Sequence, residues 1–303
     1  MPSEPMNIKA DANQGDPGGF PSVPMLGLDT LWFQVAGTVC NLACSHCFIT
    51  CSPTNHSHAM MDLESVEAHL AEAESLGVRE YYFTGGEPFL NPEILDILRA
   101  ALRQGPCSVL TNGTLITAKR AQDLKALGDG SRYSLEIRVS LDGLDRETND
   151  KVRGQGSFDR ILEAVRNLDA AGINPILTLT EAWDDAGSPE GRARALEFLR
   201  GLGLARPRLK VMPILRLGAE ERRTHGYGSA ESLRGFALDA DQAAALQCSS
   251  GRMATSKGVY VCPILIDSGD ARMGSNLKDT LKPFPLSHRA CHTCHVQGLN
   301  CRT

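Results

Sequence analysis

The chain has 303 residues, 42% of them apolar, a formal net charge of −5 and a pI near 5.9. That length supports one large core with a smaller appendage. The acidic balance, without a basic stripe, speaks against nucleic acid as a partner, and no apolar run approaches the roughly 18 residues of a membrane span.

Residues 1–27 are rich in Pro, Gly, Asp and Asn and lack the basic start and apolar stretch of a signal peptide. They predict a flexible leader and a cytoplasmic chain. From 28 to 215 short apolar runs alternate with longer helical ones. Strands are predicted over 31–36, 79–83, 107–110, 135–139, 174–179 and 209–214. Asp62, Asn91, Thr117, Ser157 and Ser188 are positioned as helix N-caps, with Pro92 and Glu93 in the first turn after Asn91. After Ser157, Ile161, Leu162, Val165 and Leu168 share one helix face, and Gly172 stands just past its end. Strand–helix repeats of this kind predict an α/β fold with a parallel sheet and right-handed crossovers, open or closed into a barrel. Residues 216–246 read as a polar connection with one short helix. Residues 247–303 read as a cysteine-rich tail with hairpin character from Gly258 to Cys262.

In a parallel barrel the active site lies at the C-terminal strand ends. Gly85-Gly86-Glu87-Pro88, Thr111-Asn112-Gly113 and Ser140-Leu141-Asp142-Gly143 all fall there, and so does the first group of cysteines. Of ten cysteines, four lie from Cys40 to Cys51, Cys107 stands alone, and five lie from Cys248 to Cys301. Tight clusters in a chain without an export signal point to metal rather than disulfides. Cys107, in an apolar strand, reads as core, and Cys51 with His56 and His58 as a solvated loop.

Cys40-Asn-Leu-Ala-Cys44-Ser-His-Cys47 places three thiols on one short loop, enough for three corners of a cubane [4Fe–4S] cluster with one iron left open. Zinc would want a fourth ligand, which His46, Cys51, His56 or His58 could offer. In the tail, Cys248, Cys262 and the Cys291-x2-Cys294 pair can saturate one further cube, with Cys301 as a spare or alternate ligand. A zinc ribbon uses a similar set, so zinc stays an alternative there. His288, His292 and His295 read as exposed, with tuning of a cluster through hydrogen bonds as the other reading.

At these residues the chain resembles the radical S-adenosylmethionine (radical SAM) superfamily, whose signature is C-x3-C-x2-C. The resemblance runs over roughly residues 30–215. It implies a partial (β/α)6 TIM-like barrel in which Cys40, Cys44 and Cys47 bind a [4Fe–4S] cluster and S-adenosylmethionine chelates the open iron. Gly85, Gly86, Glu87 and Pro88 look like the GGEP element that receives the methionine ammonium. Arg153 resembles the arginine that takes the carboxylate. Ser140 and Asp142 suit the ribose hydroxyls, Phe48 the adenine, and Asn112 and Thr180 are further candidates. The tail resembles SPASM and twitch domains. A full SPASM tail carries more cysteines and a second extra cluster, whereas five cysteines are present here, so a twitch-like domain with one auxiliary [4Fe–4S] cluster is implied.

Together these features imply an oxidoreductase or maturase that cleaves S-adenosylmethionine to methionine and a 5′-deoxyadenosyl radical. It would work with a low-potential donor such as flavodoxin or ferredoxin, on a peptide or small-molecule precursor. No catalytic acid or base is assigned. The alternative is a non-catalytic iron–sulfur electron-transfer or scaffold protein.

Overall fold

The computed structural model describes residues 19–183 and 185–299. In chain order it contains β1 (Ser22–Val23), β2 (Thr30–Gln34), α1 (Leu63–Leu76), β3 (Glu80–Thr84), α2 (Ile94–Ala101) and β4 (Cys107–Thr111). Next come α3 (Ala118–Asp129), β5 (Leu135–Ser140), α4 (Arg146–Arg153), α5 (Ser157–Ala170), β6 (Ile176–Thr180), α6 (Pro189–Gly201) and β7 (Arg208–Met212). The remainder holds α7 (Gly218–Thr224), α8 (Ala240–Ala245), β8 (Gly251–Thr255), β9 (Gly258–Tyr260), β10 (Arg272–Gly274), β11 (Phe284–Pro285) and α9 (Arg289–Val296).

Strands β2 to β7 lie side by side in chain order, all parallel, with helices between them. This is the expected α/β partial barrel. Pro175 delays β6 and Pro213 ends β7, because neither can donate to the ladder; both strands are therefore shorter than their apolar runs. Alternation decides which residues reach the lumen. On β2 and β3, Trp32 stacks on Tyr82 inside at 4.3 Å, while the neighbouring pair Phe33 and Phe83 stacks at 5.4 Å under the helices. Aromatic pairs of this kind add about 0.5–1.5 kcal/mol beyond their buried area.

Asp62, Thr117 and Ser188 cap α1, α3 and α6 as expected, each accepting from a first-turn N–H. Two expectations are corrected. Asn91 accepts from Glu93 N–H but spends its amide on Val35 and Met61 carbonyls, so α2 starts later. Ser157 lies inside α5, behind Gly156 in the left-handed region, and its hydroxyl bonds Asp150.

The tail joins the same sheet. β8 runs parallel to β2, with Thr30 opposite Gly251, and β9 and β10 extend it antiparallel. The connection over 216–246 carries two helices, α7 and α8, rather than one; α8 opens with a capping box between Asp239 and Gln242. Residues 19–27 do not form a flexible leader: β1 pairs antiparallel with β11, and Val23 and Met25 are buried in the two cores. The rest of that predicted leader, residues 1–18, lies outside the described residues. Among the described residues no helix is long and apolar enough to cross a membrane.

Candidate active site

The loop after β2 is fixed from three sides. Gly86 N–H donates to Gly37 O (2.9 Å) and Glu87 N–H to Val39 O (3.0 Å), which ties the loop after β3 to the cysteine loop. A Cβ on Gly86 would fall 1.9 Å from Val39 O, so only glycine permits this approach. Ser45 N–H bonds Val152 O of α4 (2.8 Å), and Ala219 N–H of α7 bonds Cys47 O (2.9 Å).

The held loop turns Cys40, Cys44 and Cys47 toward a cavity of about 230 Å³ at the C-terminal rim of the strands. Gly85, Gly86, Asn112, Ser140, Arg153, Thr180 and Phe48 line the same space. A more open hollow of about 1020 Å³ between α2 and α3 contains none of these residues, so volume alone does not mark the site. The three thiols differ. Burial pushes Cys40 up to about 12. Burial also raises Cys44, against the pull of the Arg153 guanidinium. Cys47 is drawn down to about 6 by the Cys51 thiol, with backbone N–H groups of Cys51 and Ile49 helping and burial opposing. Of the three thiols, Cys47 is thus the one whose surroundings most favour the thiolate.

Cys51 does not sit in a solvated loop. It is buried, lines the cavity, and its N–H reaches Cys47 Sγ at 3.3 Å. His58 is buried as well, while His56 is exposed. Asn112 donates to Asn41 Oδ1 (2.9 Å) and reaches Cys40 Sγ (3.6 Å), and Thr114 fixes its other amide atom.

Two carboxylates expected to meet a ligand face the protein instead. Glu87 is fully buried: Oε1 accepts from Phe89 N–H and the Thr111 hydroxyl, and Oε2 from Asn112 N–H (2.8 Å). It joins the end of β4 to the loop after β3, and neither it nor Pro88 reaches the cavity. Asp142 is likewise buried. Its Oδ2 meets Arg153 (2.7 Å) and His46 Nε2 (2.6 Å), and its Oδ1 accepts from the Thr180 N–H and hydroxyl. Burial alone would raise its pKa, yet the Arg153 guanidinium and His46 hold it well below the usual carboxylate range. Asp142 therefore spends both oxygens on Arg153, His46 and Thr180 and is not among the residues lining the cavity.

Sequence reasoning missed the lumen wall. Trp32 Nε1 and Thr178 Oγ1 are buried, have no hydrogen-bond partner and line the cavity, and Arg153 Nε is also unpartnered. Inward alternation along β2 and β6 was the signal that could have found the first two.

In the tail, Cys248, Cys262, Cys291 and Cys294 line a second, apolar cavity of about 30 Å³ together with Leu246, Ile264 and Phe284. Cys291 and Cys294 share one face of α9. Burial pushes Cys248 up to about 12 and raises Cys262 and Cys291. Cys301 lies outside the described residues. His288, His292 and His295 do not line this cavity; His288 packs on Phe284 and His295 against Phe236. Cys107 is core, as expected. Among the described residues no three His, Cys, Asp or Glu side chains converge as one metal ion requires; a cube holds its thiolates farther apart than a single zinc does.

Residues 35–182 match the Radical SAM superfamily in a family comparison. Over these residues the chain is similar to the radical SAM superfamily. Its members use S-adenosylmethionine and a [4Fe–4S] cluster. Among curated radical SAM relatives, the chain is 36% identical over 143 residues to the Fe-coproporphyrin III synthase of Methanosarcina barkeri, covering 46% of this chain and 34% of that protein. It is 33% identical over 135 residues to a mycofactocin maturase of Mycobacterium tuberculosis, covering 44% and 33%. The chain thus spans about a third of the length of these relatives. In fold it is similar to Streptococcus suis SuiB bound to S-adenosylmethionine, with TM-score 0.64, 17% identity, and coverage of 86% of this chain and 67% of that one. SuiB has also been solved with its precursor peptide SuiA.

Proposed function

We propose that this chain is a radical SAM oxidoreductase or maturase with an auxiliary cluster. One observation carries the reading: the three signature thiols, with Cys51 beside Cys47, the backbone of a glycine pair and an oriented guanidinium converge on a single cavity at the strand ends. Cys40, Cys44 and Cys47 fit a [4Fe–4S] cluster with one open corner, since the signature supplies three thiols, while Cys51, the fourth cysteine on this cavity, lies outside the signature with its N–H on Cys47 Sγ. Held there, the cluster and S-adenosylmethionine would supply one-electron cleavage of the sulfonium to methionine and a 5′-deoxyadenosyl radical able to take hydrogen from a substrate.

The chain's own residues position and shield. Backbone carbonyls at Gly85 and Gly86 receive the methionine ammonium, with Glu87 and Pro88 holding that turn from behind. Arg153, which lines the cavity and has an unpartnered Nε, takes the carboxylate in the geometry Asp142 sets. Ser140 suits the ribose and Phe48 the adenine, while Asn112 steadies Cys40. Leu42, Ile49, Leu110 and Met212 keep water from the reacting atoms.

Cys248, Cys262, Cys291 and Cys294 would saturate a second [4Fe–4S] cluster. A closed site of that kind suits electron transfer rather than substrate chelation. The substrate is a peptide or a cofactor or natural-product precursor, in line with the names of the relatives and with the peptide bound to SuiB. The donor is a low-potential carrier such as flavodoxin or ferredoxin, which belongs with thiolate clusters in the reducing cytoplasm. Anaerobically reconstituted protein, given S-adenosylmethionine and a strong reductant, is expected to release 5′-deoxyadenosine. Nucleoside no higher than in a Cys44→Ala control overturns the enzymatic reading and leaves the scaffold one.

A further inference from the structure

Arg252, on β8, is fully buried. Its guanidinium makes five hydrogen bonds. Nε and Nη2 donate to Thr280 O (3.1 and 2.9 Å), Nη2 also to Lys282 O (3.1 Å), and Nη1 to Cys248 O (2.8 Å) and Gly251 O (2.7 Å). Every acceptor is a neutral carbonyl. Arg153 in the first site faces the carboxylate of Asp142, whereas no carboxylate is among the hydrogen-bond partners of Arg252. Carbonyls solvate a cation but leave its charge in place, and an uncompensated buried charge is strongly unfavourable.

We infer that Arg252 is the built-in counter-ion of a tetrathiolate cluster at Cys248, Cys262, Cys291 and Cys294. The inference rests on the second cluster proposed above. A cube held by four thiolates carries a net negative charge that deepens on reduction. A fixed guanidinium bonded to the Cys248 carbonyl offsets it, and its full burial keeps water from screening the charge. The cation favours the reduced state, so it raises the cluster's reduction potential.

The test uses the full-length chain carrying Cys40→Ala, Cys44→Ala and Cys47→Ala, so that only tail iron remains. Arg252→Gln removes the charge and keeps some hydrogen bonding; Arg252→Lys keeps the charge and loses the fork. Iron content and the midpoint potential from an anaerobic redox titration are read for each. The expected result is about four irons per chain in the parent, a more negative potential in Arg252→Gln, and recovery of most of that shift in Arg252→Lys. If Arg252→Gln fails to load iron, loading restored by Arg252→Lys supports the inference, and loading lost in both overturns it. Tail iron at the parent potential in Arg252→Gln, or equal shifts in both variants, sinks the counter-ion alone. No tail iron in the parent sinks the second cluster, and the inference with it.

Discussion

The two cysteine constellations differ in almost every respect. The first comes from one contiguous loop, faces a cavity of about 230 Å³, and shares it with a polar lining and an oriented arginine. The second gathers cysteines from a short turn, a strand end and a helix around about 30 Å³ of apolar space. The first set has room beside its thiols for a second molecule, and the second has none. On the proposed function, the same residue type would serve chemistry in one place and conduction in the other.

The sharpest way to break this contrast is to remove one thiol from each. Cys44→Ala is expected to abolish 5′-deoxyadenosine release while about four irons stay in the tail. Cys291→Ala should leave intact the change that S-adenosylmethionine produces in the reduced paramagnetic spectrum. Loss of that change in Cys291→Ala would mean the sites are not separate. Next in size is Asp142→Asn. With its anchor neutral, Arg153 is free to turn, and affinity for S-adenosylmethionine should fall about 10–100-fold by equilibrium binding, in line with the loss of other outer-sphere partners. The native carboxyl pKa is depressed, so the ion pair contributes fully above the unfolded value near pH 4. That contribution drains away as pH falls toward the native value. Chemical denaturation of wild type and Asp142→Asn should therefore differ most at neutral pH and converge in acid.

Gly86→Ala tests the loop lock. The added methyl collides with Val39 O, and overpacking of this sort costs about 1–3 kcal/mol. Iron in the first site should drop with it, and tail iron should not. The smallest effect is expected from Thr117→Ala, which removes the cap of α3 for about 1 kcal/mol in melting experiments and leaves nucleoside release unchanged.

Much of this was legible because the signals are local. Short apolar runs between capped helices define the parallel strands, and the contiguous cysteine loop and glycine pair carry their spacing with them. The direction of a side chain depends on partners far along the chain. Glu87 turns inward because Thr111 and the Asn112 N–H await it, and Asp142 because Arg153 and His46 do. Nothing beside either residue announces this. Cys51 is buried by the cavity it lines, although its flanking residues are polar. β1 is two residues long and exists only through its partner β11, more than 250 positions away; a pairing that short has no period to read.

The parallel join of β8 to β2 has one more consequence. All five residues of β2 are buried, and β8 covers the edge that β3 does not. A chain cut after residue 246 would bare that edge as an open row of backbone donors and acceptors on an apolar strand. Such a fragment would self-associate through β2 and precipitate before its own cofactor chemistry could be assayed.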